Sequence, residues 1–144
     1  MYKYILFDFD GTVFDTVEGI TKSVQYALAK RGIEAELDSL RCFAGPPLVD
    51  MFMEKFDLSQ EEAEDATDDF RERYQPIGLY ECRVFPGIKE LLRSLIDAGL
   101  HVGIATSKPQ HLAESCWRVR GCWSSSRSSP AATATATTTP RRQF

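Results

Sequence analysis

Residues 3–9, KYILFDF, run apolar at nearly every position and then turn acidic: FDFDGT sets Asp8 and Asp10 one residue apart, ahead of Gly11 and Thr12. A strand with no alternation between wet and dry faces asks to be covered on both, which is the pattern of a parallel sheet inside an α/β fold. A second run of this kind, HVGIAT at residues 101–106, ends in hydroxyls, Thr106 and Ser107, just before Pro109 suits the first turn of a helix through about Trp117. Between the two runs the periodicity is helical. Ile20, Val24, Ala27 and Leu28 recur from Val17 until Gly32, and after the break at Gly45-Pro46-Pro47 a short helix carries Leu48, Met51, Phe52 and Phe56. Ser59 and Glu62 have the spacing of a capping box for a helix to about Tyr74, with Ala63, Ala66, Phe70 and Tyr74 on its core face. Phe85-Pro86-Gly87 opens another helix, with Ile88, Leu91, Leu92 and Leu95 on one face and Gly99 as its stop. The order is strand, helical insert, helix, strand, helix, an α/β pattern.

Charge is unevenly spread. Residues 118–144 hold five arginines and no acid or lysine, so they carry +5, while residues 1–117 carry −9 of the net −4. This balance gives no case for nucleic-acid binding, and no run approaches the roughly 20 apolar residues of a membrane span. The N-terminus lacks the pattern of a secretory signal, so the cytoplasm is the expected compartment. The four cysteines show no CxxC spacing, which argues against zinc and for reduced thiols. The acidic stretch EEAEDATDD, 61–69, reads as a solvated helix face, and His101 and His111 as strand-edge and solvated positions.

The chemistry rests on the two strand ends. In extended chain, residues i and i+2 point the same way, so Asp8 and Asp10 would converge beyond the C-terminal end of the first strand, where open α/β sheets bind ligands. Such a pair raises one carboxyl's pKa or recruits a cation. Mg²⁺ suits it, because it takes few carboxylates together with substrate phosphate oxygens. One Asp could attack phosphorus and the other could shuttle a proton. Gly11 would let backbone amides near an anion, and Thr12 adds a hydroxyl. Thr106 and Ser107, at a helix start, would form an anion site, with Lys108 adding positive potential. Taken singly, an Asp-x-Asp can be a turn and a Thr-Ser an N-cap; it is their presence on two strands of one pattern that points to a site.

These motifs resemble those of the haloacid dehalogenase superfamily of phosphatases: FDFDGT its first motif, IATSK its second, and the intervening helices its cap. GPPL, RERY, GLYE, VFPGI and ATSKP are similar to the phosphoglycolate phosphatase and 5′-nucleotidase-like branch. The resemblance implies an incomplete Rossmann-like parallel sheet core, 1–15 with 85–117, and a helical cap over 16–84. It implies Mg²⁺-dependent hydrolysis of a small phosphorylated metabolite. Asp8 would be nucleophile and metal ligand. Asp10 would be general acid/base and give its backbone carbonyl to the metal. Thr106, with Ser107, would hold the phosphate, and Gly11 and Thr12 would shape the loop. Asp15 and Thr16 would start the hinge to the cap, and Gly45, Pro46 and Pro47 would face the substrate from it. Oligomeric state is left open.

The family's third motif, a lysine, and its fourth, an acidic pair, have no counterpart after Thr106: no lysine follows Lys108 and no acid follows Glu114. Residues 118–144, with their Ser, Ala/Thr, Pro and Arg runs, read as a disordered low-complexity tail. The change of composition near residue 117 suggests a frameshift, with a genuine disordered tail as the other reading. The expectation for function is therefore twofold: a phosphomonoesterase of doubtful activity, or a non-catalytic fragment.

Overall fold

The structure is a computed structural model and describes residues 2–106 and 108–119. Of the tail expected over 118–144, residues 118 and 119 belong to a helix and the rest lies outside the described residues. The chain divides into two compact units, one formed by residues up to Asp15 with those from Arg83 on, the other by Thr16–Cys82.

The first unit is mixed α/β. Strand β1 (Tyr4–Phe7) pairs in parallel with β4 (His101–Ile104). Helices α4 (Ile88–Asp97) and α5 (Gln110–Val119) flank β4 in sequence. Its core is aromatic: Phe9 and Phe14 stack with ring centroids 4.5 Å apart, and the Trp117 ring lies 6.4 Å and 5.8 Å from them. Val13, Leu92, Val102, Ala113 and Cys116 complete it.

Two expectations are corrected here. β1 is not buried on both faces: Tyr4 and Leu6 are 70% and 69% exposed. Among the described residues its sheet has two strands only, and the alternating pleat turns Tyr4 and Leu6 to a face that nothing covers. The Tyr4 ring instead stacks on its cross-strand neighbour His101 at 4.8 Å. For the same reason α4 buries Leu92 alone of its expected face, with Leu91 43% exposed. A two-stranded ribbon is too narrow to cover a whole helix stripe.

Between β1 and the first helix the chain forms a short strand that the sequence reading did not include. β2 (Phe14–Asp15) pairs antiparallel with β3 (Arg83–Val84), and the Phe85 amide donates to the Val13 carbonyl at 3.2 Å. Chain leaving the first unit and chain returning to it are thus tied together. Strands of two residues carry no periodicity from which to read them.

The second unit is helical. α1 (Val17–Ala29) packs against α3 (Gln60–Tyr74) and a 3₁₀ segment, Leu37–Phe43, and α2 (Leu48–Phe56) packs on α3. The capping box forms as expected: Ser59 Oγ accepts the Glu62 amide at 3.3 Å and Glu62 accepts the Ser59 amide at 2.8 Å. Ala63, Ala66, Phe70 and Tyr74 are buried. The acidic residues of α3 are more than a wet face. Asp69 accepts from Lys30 and Arg31, and Glu72 from Lys30 and Tyr26, which bind α3 to the end of α1. Arg73, beside Glu72 near the end of α3, forks onto Glu81 at 2.9 and 3.1 Å, and Lys22 reaches Glu81 at 3.3 Å. Among the described residues no helix is long and apolar enough to cross a membrane.

Candidate active site

β1 and β4 run in register from Tyr4 opposite His101 to Phe7 opposite Ile104, and the Ala105 amide donates to the Phe7 carbonyl at 2.9 Å. Parallel strands about 4.8 Å apart therefore bring the residues that follow them, Asp8 after β1 and Ala105-Thr106 after β4, to one C-terminal end of the sheet. That is the end of an open α/β sheet at which ligands bind.

The first loop departs from the extended geometry expected of it. β1 stops at Phe7, because Asp8 Oδ1 accepts the Phe9 amide at 2.7 Å and the chain turns. The Phe9 carbonyl then collects the amides of Thr12, Val13 and Phe14 at 3.5, 3.1 and 3.0 Å. The Gly11 amide donates to the Phe14 carbonyl at 2.8 Å. The Gly11 amide is thus spent on closing the turn, and what Gly11 contributes here is a backbone at φ +79°. Phe9 is buried as the anchor of this turn, whereas Asp8 and Thr12 are exposed and Asp10 is half-buried.

The second loop supplies a residue whose weight the sequence understated. Lys108 is buried, with its side chain 7% exposed, and its Nζ donates to Asp10 Oδ1 at 2.7 Å. Its backbone amide donates to Thr106 Oγ1 at 3.1 Å, and its ammonium lies 5.0 Å from the centre of the Phe9 ring. Buried lysines are rare unless paired, so a burial signal was absent from the sequence and only the proximity to Thr106 hinted at it. Thr106 is itself buried. Ser107 lies outside the described residues. The structure thus holds Asp8, Asp10, Gly11, Thr12, Thr106 and Lys108 in one unit and links Asp10 to Thr106 through Lys108. Gly45, Pro46 and Pro47 belong to the other unit, where they are exposed and Pro47 leads into α2.

The donor set suits a small hard cation: an exposed carboxylate at Asp8 and oxygen groups of Asp10 on the adjoining turn. Mg²⁺ is commonly held by one or two carboxylates, the remaining positions going to water and substrate phosphate. Among the described residues no group of three or more His, Cys, Asp or Glu forms a fuller cage. The helical unit has an open cavity of about 700 Å³ whose lining includes Lys22, Tyr26, Ile33 and Arg73. Its two cations are already engaged by Glu18 and Glu81.

The comparison with known proteins follows this geometry. The family model for haloacid dehalogenase-like hydrolases matches residues 5–122, and the chain belongs to that family. It is 50% identical over 109 residues to a 5′-nucleotidase of Pseudomonas aeruginosa, across 75% of this chain and 49% of that protein. It is 28% identical over 116 residues to a phosphoglycolate phosphatase of Xanthomonas campestris pv. campestris, across 78% of this chain and 52% of that one. Among solved structures, a predicted phosphatase from Clostridium acetobutylicum superposes with a TM-score of 0.76 at 44% identity, covering 83% of this chain and 56% of that one. The chain spans about half the length of the curated relatives it matches. The resemblance read from FDFDGT and IATSK is borne out, as is the mixed α/β fold with its parallel pairing.

Proposed function

We propose that this chain carries the phosphoryl-transfer half of a phosphomonoester hydrolase acting on a small phosphorylated metabolite. The observation that carries the reading is the register of β1 and β4, which delivers Asp8 and Thr106 to one end of the sheet. The names of its relatives suggest phosphoglycolate or a nucleoside 5′-monophosphate as the substrate class.

Asp8 is the nucleophile. Its exposed carboxylate oxygen attacks phosphorus, the bond from phosphorus to the ester oxygen breaks, and Asp10 gives the leaving oxygen a proton. Asp10 then takes a proton from water, whose oxygen attacks the same phosphorus. The acyl-phosphate bond breaks, and inorganic phosphate and the Asp8 carboxylate are regenerated. Thr106, with the Ser107 amide, holds the phosphate oxygens, while Gly11 and Thr12 keep the loop in shape. Asp8 and the Asp10 carbonyl would hold Mg²⁺, which would supply charge neutralisation for the transferring group, since phosphoryl transfer depends mainly on positioning and electrostatics. Gly45, Pro46 and Pro47 are proposed to select the substrate.

The test is hydrolysis of phosphoglycolate, nucleoside 5′-monophosphates and p-nitrophenyl phosphate by the full chain with Mg²⁺. Turnover should fall to background in Asp8→Asn and on adding EDTA. An Asp8→Asn variant as active as the parent would sink the assignment.

A further inference from the structure

Lys108 has no assigned role beyond its charge, yet its position is specific. It is a buried cation anchored three ways. Nζ is on Asp10 Oδ1 at 2.7 Å, its backbone amide is on Thr106 Oγ1 at 3.1 Å, and the Phe9 ring lies 5.0 Å from the ammonium. Each partner is itself fixed. Phe9 is 1% exposed and its carbonyl closes the first loop, and Thr106 is 7% exposed at the end of β4. The lysine therefore stitches the first loop to the second at the point where the two strands end. A buried ammonium is costly to desolvate and is retained where an anion meets it. Asp10 supplies one such anion in this structure. A dianionic phosphoryl group beside Asp8 and Thr106 would supply a stronger one, and an ammonium's three N–H donors can serve a carboxylate and a phosphate oxygen together.

We infer that Lys108, carried two residues beyond Thr106 on the same loop, is the phosphate-neutralising cation of this chain and bridges Asp10 to the bound phosphoryl oxygen. The inference rests on the reading of the strand ends as a phosphoryl-transfer site. It differs from the family arrangement, which takes its lysine from a later motif. One loop then provides both the hydroxyl that orients the phosphate and the charge that neutralises it.

The experiment is the binding of inorganic phosphate to the full chain in excess Mg²⁺, followed by phosphorus-31 line broadening, with thermal melts as a folding check. Lys108→Met should weaken phosphate binding roughly tenfold to a hundredfold, the range for one charge-assisted hydrogen bond. Lys108→Arg should keep most of the affinity. Phosphate binding in Lys108→Met equal to the parent's would overturn the inference. So would a loss in Lys108→Arg, which keeps the charge, equal to that in Lys108→Met, and so would a parent chain that binds no phosphate. The hydrolase reading is judged apart from this, on turnover. Lysine-dependent phosphate binding in a chain without Asp8-dependent turnover would uphold the inference and reject hydrolysis.

Discussion

Gly11 has open space where a Cβ would sit, but its backbone is at φ +79°. An L side chain there meets no neighbour and pays only for its left-handed conformation, about 1–2 kcal/mol. Gly11→Ala should lower the stability of the full chain by about that amount in urea titration, and an unchanged midpoint would show that the turn can relax. Asp57, at φ 52°, ends α2 in the same region, where Asp is tolerated better than most residues. The residues at the strand ends differ in how far the sequence revealed them. Asp8, Asp10 and Thr106 were legible because two apolar runs end on them. Lys108 was not, because its burial depends on a carboxylate that lies far away in sequence and near it only in the fold.

At the scale of elements, α1 shows how local signals and tertiary contact divide the work. Its apolar spacing fixes its face, and Gly32 lies just past its end, Ala29, as expected. The sequence did not show why Gly19 sits in its first half. A Cβ built there would lie 1.9 Å from the Gly78 carbonyl oxygen, and one on Gly78 would lie 2.6 Å from Ser23 Oγ. The helix and the 3₁₀ turn at Gly78–Tyr80 meet backbone to backbone. Because the obstacle is main chain, Gly19→Ala should cost at least the 1–3 kcal/mol typical of overpacking, read as a lower urea midpoint; a variant as stable as the parent would refute the contact. The capping box of α3 was readable for the opposite reason, since Ser59 and Glu62 satisfy each other within one turn.

Over the whole molecule, charge pairs tie the helical unit together, and their protonation sets its acid limit. Burial alone would raise the Asp69 carboxyl, but hydrogen bonds from Lys30 and Arg31 overcome it and hold it below its ordinary 3.8. Hydrogen bonds from Arg73, joined against burial by Lys22, hold Glu81 below 4.5, and Lys30 and Tyr26 do the same for Glu72. A carboxyl whose folded value is depressed adds stability above its unfolded value and loses it as pH falls through the folded one. Lys22 is raised by its hydrogen bonds to Glu18 and then Glu81, and Lys30 by those to Asp69 and Glu72, so their contribution is whole below 10.5 and fades only above it. The full chain should therefore hold a constant urea midpoint from about pH 5 to 10 as far as these pairs are concerned, and lose stability below about pH 4. The loss should be modest, because the pairs are partly exposed and solvent-screened. A midpoint at pH 3 equal to that at pH 7 would contradict this.

The sequence by itself determined the helices, the parallel strands, the motif residues at their ends and the family, because each is written in short-range periodicity, capping chemistry or contiguous residues. Only the tertiary structure decided that β1 leaves Tyr4 and Leu6 exposed, that β2 and β3 tie the outgoing chain to the returning one, and that Lys108 sits on Asp10. The physical reason is common to all three. Burial and ion pairing depend on which distant segments arrive beside a residue, and no local pattern encodes a partner that lies most of the chain away.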